Sequence, residues 1–343
     1  MAAAAEPEGT VPDYILRAPA VVSVRDQPPN DCTVEPFTFM VQGTTCRGRI
    51  FIPHIDRESN VLKSSEPTRM IVMAHGFCCL QTFEPMNTLV RAFVVAGISC
   101  CTFDYRGFGE SDTPSSSSWQ YIDPIMLLED WREAIRDISR RYQHASIGLW
   151  GTSFSGGHVI QMASEHRSDS PRELSGGVVV QAVVSWVGCM NYDGSRLPTS
   201  LSKTRFLWEY ARSLLSPKRM LKVCGARGEV CVCDGPVEVA EIAALASSRG
   251  DVEWANAAPP STFLRCMGYA PGKKAPQVDC DVLFIAAGQD IITPPEYIQE
   301  AAALAPKSEL LMVPEAHHCE IYFLPLLTQV VERTVAFFGA KLP

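Results

Sequence analysis

Gly151-Thr152-Ser153-Phe154-Ser155-Gly156-Gly157 is the stretch of this chain whose residue types and spacing point most directly to chemistry. Small residues around a serine let a strand turn sharply into a helix, which lifts the Ser153 hydroxyl clear of the sheet. The pattern departs from G-x-S-x-G at its last position, where Ser155 replaces glycine; serine is still small. A serine hydroxyl is a weak nucleophile at neutral pH. It needs an imidazole to take its proton and a carboxylate to orient and stabilise that imidazole. Asp290 ends the apolar run VLFIAAGQD and opens a loop before the next helix, and His317 and His318 follow the last apolar run in PEAHHCEIY. His318 is preferred over His317 because His318-Cys319-Glu320-Ile321-Tyr322 follows the usual His-x-acid-apolar-Tyr ending. Asp193, after the preceding strand, is the alternative to Asp290, since a carboxylate at either strand end reaches the same imidazole.

Attack on a carbonyl creates an oxyanion that needs preorganised N–H donors. The amide of Phe154, the residue after the nucleophile, is one candidate. The amide of Phe77, in the tight turn His75-Gly76-Phe77, is the other. His75 reads as a structural histidine bonding within that turn, and Asp104 and Arg106 as residues that order the loop after the next strand. Gly107-Phe108-Gly109 lacks the third glycine of a dinucleotide fingerprint, and Gly272-Lys273-Lys274 lacks the spacing of a phosphate loop. Cys224, Cys231 and Cys233 have no fourth ligand at suitable spacing and read as reduced thiols, so no metal and no cofactor is expected.

Those residues must be carried by a particular set of elements. VEPFTFMVQGTTCRGRIFIP alternates apolar and polar residues about Gln42-Gly43, the pattern of an antiparallel hairpin. Beyond Pro67 short continuous apolar runs alternate with helical periodicity, which is the pattern of a parallel sheet covered on both faces. Strands are expected near Met70–Ala74, Ile98–Tyr105, Ser146–Trp150, Val178–Gly188, Val282–Ala287 and Glu309–Val313. Asp123-Pro124 opens a long helix whose buried face is read as Ile125, Leu128, Trp131, Ile135, Ile138 and Tyr142. Alternation lapses between Asn191 and Pro276, so residues 191–276 read as an inserted lid. They divide the sheet domain into 34–190 and 277–343, after an N-terminal arm at 1–33.

Together AHGF, FDYRGFGESD, the YIDP…LEDWREAI helix and GTSFSGGHV resemble the α/β-hydrolase superfamily over roughly residues 34–343 outside the lid. They are more specifically similar to X-Pro dipeptidyl-peptidase-like hydrolases and to fungal polyketide-transferase-like proteins. The resemblance implies an α/β fold with a mostly parallel eight-stranded sheet flanked by helices, a helical lid, and a Ser-His-Asp site working through an acyl-enzyme. The expected activity is hydrolysis or transfer of an acyl group from a small-molecule ester, thioester, amide or related acyl substrate. A noncatalytic binding protein and a carbon-carbon bond hydrolase are the alternatives. The lid aromatics Phe206, Trp208, Tyr210 and Trp254 either receive an apolar acyl group or pack the lid.

Composition narrows the class further. The 343 residues carry 30 Lys and Arg against 38 Asp and Glu, a net charge of −8 that argues against a nucleic-acid or polybasic membrane surface. Thirteen cysteines, several in apolar runs, read as buried reduced thiols. The first residues, MAAAAEPEGTVPDY, lack the basic-then-apolar order of a secretory signal. The longest apolar run, Val178–Val187, is too short to span a bilayer, so the cytoplasm is the expected compartment.

Overall fold

A computed structural model describes residues 27–56, 61–62, 66–171, 175–193, 203–216, 219–226, 229, 231–234, 236–247 and 250–343. Most of the arm assigned to residues 1–33 lies outside these. The expected hairpin is formed by β1 (Cys32–Val41) and β2 (Thr44–Pro53). Gln42 and Gly43 turn it with φ of 47° and 80°, the two-residue turn whose twist suits paired strands. On β1 the buried residues Phe37, Phe39 and Val41 alternate with exposed Thr38 and Met40, so one face packs inward.

Six further strands complete the sheet: β3 (Arg69–Ala74), β4 (Ser99–Asp104), β5 (Ser146–Thr152), β6 (Val180–Trp186), β7 (Asp281–Ala287) and β8 (Ser308–Val313). Their spatial order is β1-β2-β4-β3-β5-β6-β7-β8. Only β2 runs against its neighbours β1 and β4; the other five pairings are parallel. Cys101, Val72, Leu149, Val183 and Val282 lie opposite one another across five strands, all fully buried. Continuous apolar runs are needed because helices cover both sides of these strands.

The flanking helices are α1 (Met86–Val95), α2 (Pro124–Arg141), α3 (Phe154–Glu165), α4 (Pro295–Leu304) and α5 (Leu326–Lys341). α1 and α5 meet edge-to-face through Phe93 and Phe338, with ring centres 5.8 Å apart. α2 starts as its sequence specifies: the Asp123 carboxylate accepts from Ile125 N at 3.0 Å, and Pro124 occupies the first turn, where a missing N–H costs nothing. Its buried face differs from the expected one at Ile125, which is 68% exposed, while Leu127 and Ala134 are buried. At about 100° per residue Ile125 stands roughly 120° round the helix from the centre of the stripe carrying Trp131 and Ile135.

Between β6 and β7 the described residues form the helices Lys203–Leu215, Pro236–Ala246 and Ser261–Cys266. They also form a three-stranded sheet in the order Cys231–Asp234, Leu221–Gly225, Ala257–Ala258, which periodicity did not signal. Among the described residues, side-chain hydrogen bonds tie this segment to the sheet domain. The Gln120 side chain donates to the carbonyls of Ala255 (2.7 Å) and Ala257 (2.6 Å) and accepts from Ala255 N (2.8 Å). The Trp254 indole N–H donates to the Cys78 carbonyl at 2.7 Å. No helix among the described residues is long and apolar enough to cross a membrane.

Candidate active site

Ser153 sits between β5 and α3 with φ 54° and ψ −117°, a conformation L-residues rarely adopt. Two hydrogen bonds hold the turn to the next strand and the loop after it: Ser153 N donates to Trp186 O, and Cys189 N donates to Ser153 O, both at 2.8 Å. The small neighbours are a packing requirement. A Cβ on Gly151 would lie 2.2 Å from Ser155 O, and one on Gly157 would lie 2.3 Å from Cys189 O.

His318 Nε2 lies 3.0 Å from Ser153 Oγ, and His318 Nδ1 lies 2.6 Å from Asp290 Oδ2. Three groups from distant parts of the chain therefore form one hydrogen-bonded line, with Asp290 and His318 buried. The carboxylate is fixed by its own loop: Ile292 N and Thr293 N each donate to Oδ1 at 2.8 Å. The Thr293 hydroxyl stands 2.7 Å from Asp290 Oδ2, 2.8 Å from Val187 O and 3.1 Å from His318 Nδ1. Thr293 escaped sequence reasoning because a threonine in a turn has no pattern of its own. The alternatives lie elsewhere. Asp193 accepts from the Tyr297 hydroxyl at 2.9 Å, and His317 is exposed. Chemically, the line can draw a proton from Ser153 onto a tautomerically fixed imidazole, the requirement for nucleophilic attack by serine.

A sequence model described as alpha/beta hydrolase fold matches residues 69–323. The chain belongs to the α/β-hydrolase family. Among its relatives, an uncharacterized 31.7 kDa protein from the traX-finO intergenic region of Escherichia coli is 29% identical over 259 residues, which is 74% of this chain and 84% of that protein. The quorum-quenching protein AidA of Acinetobacter baumannii is 27% identical over 285 residues, 80% of this chain and 88% of AidA. The crystal structure of the α/β hydrolase GrgF from Penicillium sp. sh18 superimposes with a TM-score of 0.65 at 18% identity, covering 91% of this chain and 99% of GrgF.

Around Ser153 this hydrolase has a partly open, mostly apolar cavity of about 120 Å³. Its wall takes Phe77, Leu80 and Phe83 from the loop after β3, and Val223, Ile242 and Leu245 from the segment between β6 and β7. Of the aromatics between β6 and β7 named from the sequence, Trp208 is 63% exposed and Trp254 packs edge-to-face on Phe83 at 5.4 Å; neither lines the cavity, and the Phe206 side chain lies outside the described residues. Thiols of Cys79 and Cys189 also face the cavity, each pushed up to about 12 by burial, so they present as protonated, polarisable surface. Cys224 and Cys231 carry free thiols, and no group of three or more His, Cys, Asp or Glu among the described residues could hold a metal ion.

Phe154 is the first residue of α3, so its N–H is one of the helix-opening amides without an intrahelical acceptor. The Phe77 loop passes close by: a Cβ on Gly76 would lie 2.9 Å from Ser153 Cβ, and the Phe77 and Phe154 rings pack edge-to-face at 5.6 Å. His75 is buried with Nδ1 3.0 Å from the Gly76 carbonyl, bonding inside its own loop, and burial holds it below the ordinary imidazole range. Asp104 orders the same loop by accepting from Gln81 N and Gln81 Nε2, each at 2.8 Å. Arg106 is buried against Asp130 and lies 2.9 Å from Glu129.

Proposed function

We propose that this α/β hydrolase is a serine esterase or thioesterase for substrates with an apolar acyl group, with residues 191–276 serving as its cap. The observation that carries the reading is the hydrogen-bonded line from Ser153 through His318 to Asp290, set on a strained turn beside an apolar cavity. Ser153 Oγ attacks the acyl carbon as its proton passes to His318 Nε2. Asp290, held by two backbone N–H groups, stabilises the imidazolium so formed. The oxyanion is received by the amides of Phe77 and Phe154, the latter at the positive end of α3. The imidazolium then protonates the departing alcohol or thiol. Water, deprotonated by the same imidazole, attacks the acyl-enzyme, and collapse of the second tetrahedral intermediate releases the acid and restores Ser153.

Several observations support an apolar acyl group. The wall offers Phe77, Leu80, Val223, Ile242 and Leu245, and the thiols of half-buried Cys79 and buried Cys189 stay protonated. The quorum-quenching activity in the name of the Acinetobacter relative supports including small signalling molecules among the substrates tested. A fluorophosphonate probe, which forms a stable adduct with an activated serine, is expected to label the wild type and not Ser153→Ala. Ser153→Ala is expected to lower kcat toward p-nitrophenyl esters by about four orders of magnitude or more. Folded wild-type protein that takes no label and turns over no ester would favour a binding protein, and cleavage of diketones alone would favour carbon-carbon bond hydrolysis.

A further inference from the structure

Ser155 stands where the G-x-S-x-G pattern has glycine, and it is fully buried. Its hydroxyl has two partners. One is the backbone carbonyl of His75, and the other is the Tyr105 hydroxyl at 2.5 Å, which in turn lies 2.7 Å from the indole N–H of Trp131. A carbonyl can only accept and an indole N–H can only donate, so this chain of bonds has a single polarity. Trp131 donates to Tyr105, Tyr105 donates to Ser155, and Ser155 donates to His75. All three residues are buried.

The polarity matters because a peptide unit is planar and trans. Its C=O and N–H point in opposite directions, and whatever holds the carbonyl also aims the amide. Two successive units lead to the Phe77 nitrogen. The carbonyl of the first, at His75, is held by Ser155. The carbonyl of the second, at Gly76, is held by the His75 ring at 3.0 Å and by Cys79 N at 3.3 Å. Glycine at 76 is required by the close approach to Ser153, and it leaves this turn with little conformational restraint of its own. The second unit is restrained by the Cys79 amide as well as by the His75 ring, and the first is held by the Ser155 side chain.

We propose that Ser155 is a positioning residue for the oxyanion site: its hydroxyl, oriented through Tyr105 by Trp131, locks the His75 carbonyl so that the following turn aims the Phe77 N–H at the substrate carbonyl oxygen. The inference rests on Phe77 being an oxyanion donor in the esterase reading above. It assigns a task to the position at which this chain leaves the G-x-S-x-G pattern. A hydroxyl there supplies the tether that a glycine would lack.

The test compares wild type, Ser155→Ala and Ser155→Gly in ester hydrolysis and in binding of an alkyl boronic acid, whose tetrahedral serine adduct places an oxygen in the oxyanion site. Both variants are expected to lose about 10- to 100-fold in kcat with KM changed by less than about threefold. Boronate affinity is expected to fall by the same factor as kcat. Either variant, folded by circular dichroism and with wild-type kcat, would overturn the proposal. So would a fall in kcat with boronate affinity unchanged. Failure of both variants to fold would assign the hydroxyl to folding and overturn the positioning role. A wild type that neither labels with fluorophosphonate nor hydrolyses esters fails separately, on the esterase reading itself.

Discussion

A positive φ at Ser153 costs the fold on the order of 1–3 kcal/mol, and the same torsion turns the hydroxyl out toward His318. The strain persists because hydrogen bonds to Trp186 O and from Cys189 N hold the turn on both sides. Ser153, Asp290 and His318 could be picked from the sequence because each lies at a strand end, and strand ends are marked by where apolar runs stop. Thr293 could not, since its importance lies in three partners drawn from Asp290, Val187 and His318 that only folding assembles. The role of Ser155 was equally hidden: the departure from the pattern was visible, but its partners His75 and Tyr105 lie 80 and 50 residues away in the chain. Glu84 gives a prediction at this scale. Burial beside the cavity pushes its carboxyl up to about 7, against which hydrogen bonds from Thr88 work only in part. A group whose folded pKa is raised stabilises the fold fully below its unfolded pKa, and that stability is lost as pH rises through the folded value. Ionising Glu84 therefore weakens the protein between about pH 4.5 and 7, by an amount on the order of 3 kcal/mol. Glu84→Gln, which cannot ionise, is expected to melt several degrees above wild type at pH 8.5 and close to it at pH 5. Equal differences at both pH values in differential scanning calorimetry would contradict this.

At the scale of elements, what was legible followed burial. Strands covered on both faces appear as unbroken apolar runs, so β3 to β8 could be placed within a residue or two. Helix α2 was legible as a helix and in its face, with Leu128, Trp131, Ile135 and Ile138 buried as expected; Ile125 alone was misassigned, because one turn back from Leu128 the side chain emerges into solvent. Ile125→Ser is therefore expected to change stability by less than about 0.5 kcal/mol, whereas Ile135→Ala, at a fully buried position, is expected to cost about 2–5 kcal/mol. Urea unfolding of the two variants compares them directly, and a large loss for Ile125→Ser would return Ile125 to the buried face. The small sheet between β6 and β7 was not legible. Its strands Leu221–Gly225, Cys231–Asp234 and Ala257–Ala258 are two to five residues long, too short for alternation to accumulate.

In the whole molecule, the walls of the cavity and the groups beneath it come from separate parts of the chain, joined among the described residues by polar contacts that include Ile122 N to Thr262 Oγ1 and His158 to the Tyr269 hydroxyl. The Gln120 side chain is the most complete of these, since it satisfies both amide hydrogens and its carbonyl on the backbone around Ala255 and Ala257. Gln120→Ala is expected to raise KM for long-chain esters several-fold and to speed limited proteolysis within residues 191–276, with the sheet domain resisting. Unchanged cleavage kinetics across that segment would show that the remaining contacts suffice. The separation along the chain has a consequence of a different kind. Ser153 precedes His318 by 165 residues, so on the proposed mechanism the hydroxyl leaves the ribosome well ahead of the base that would activate it. A half-made polypeptide carries a harmless alcohol. On that mechanism the serine meets its base only after the loop following β8 has been made, by which time the apolar residues Phe77, Leu80, Val223, Ile242 and Leu245 of the cavity wall have also been translated.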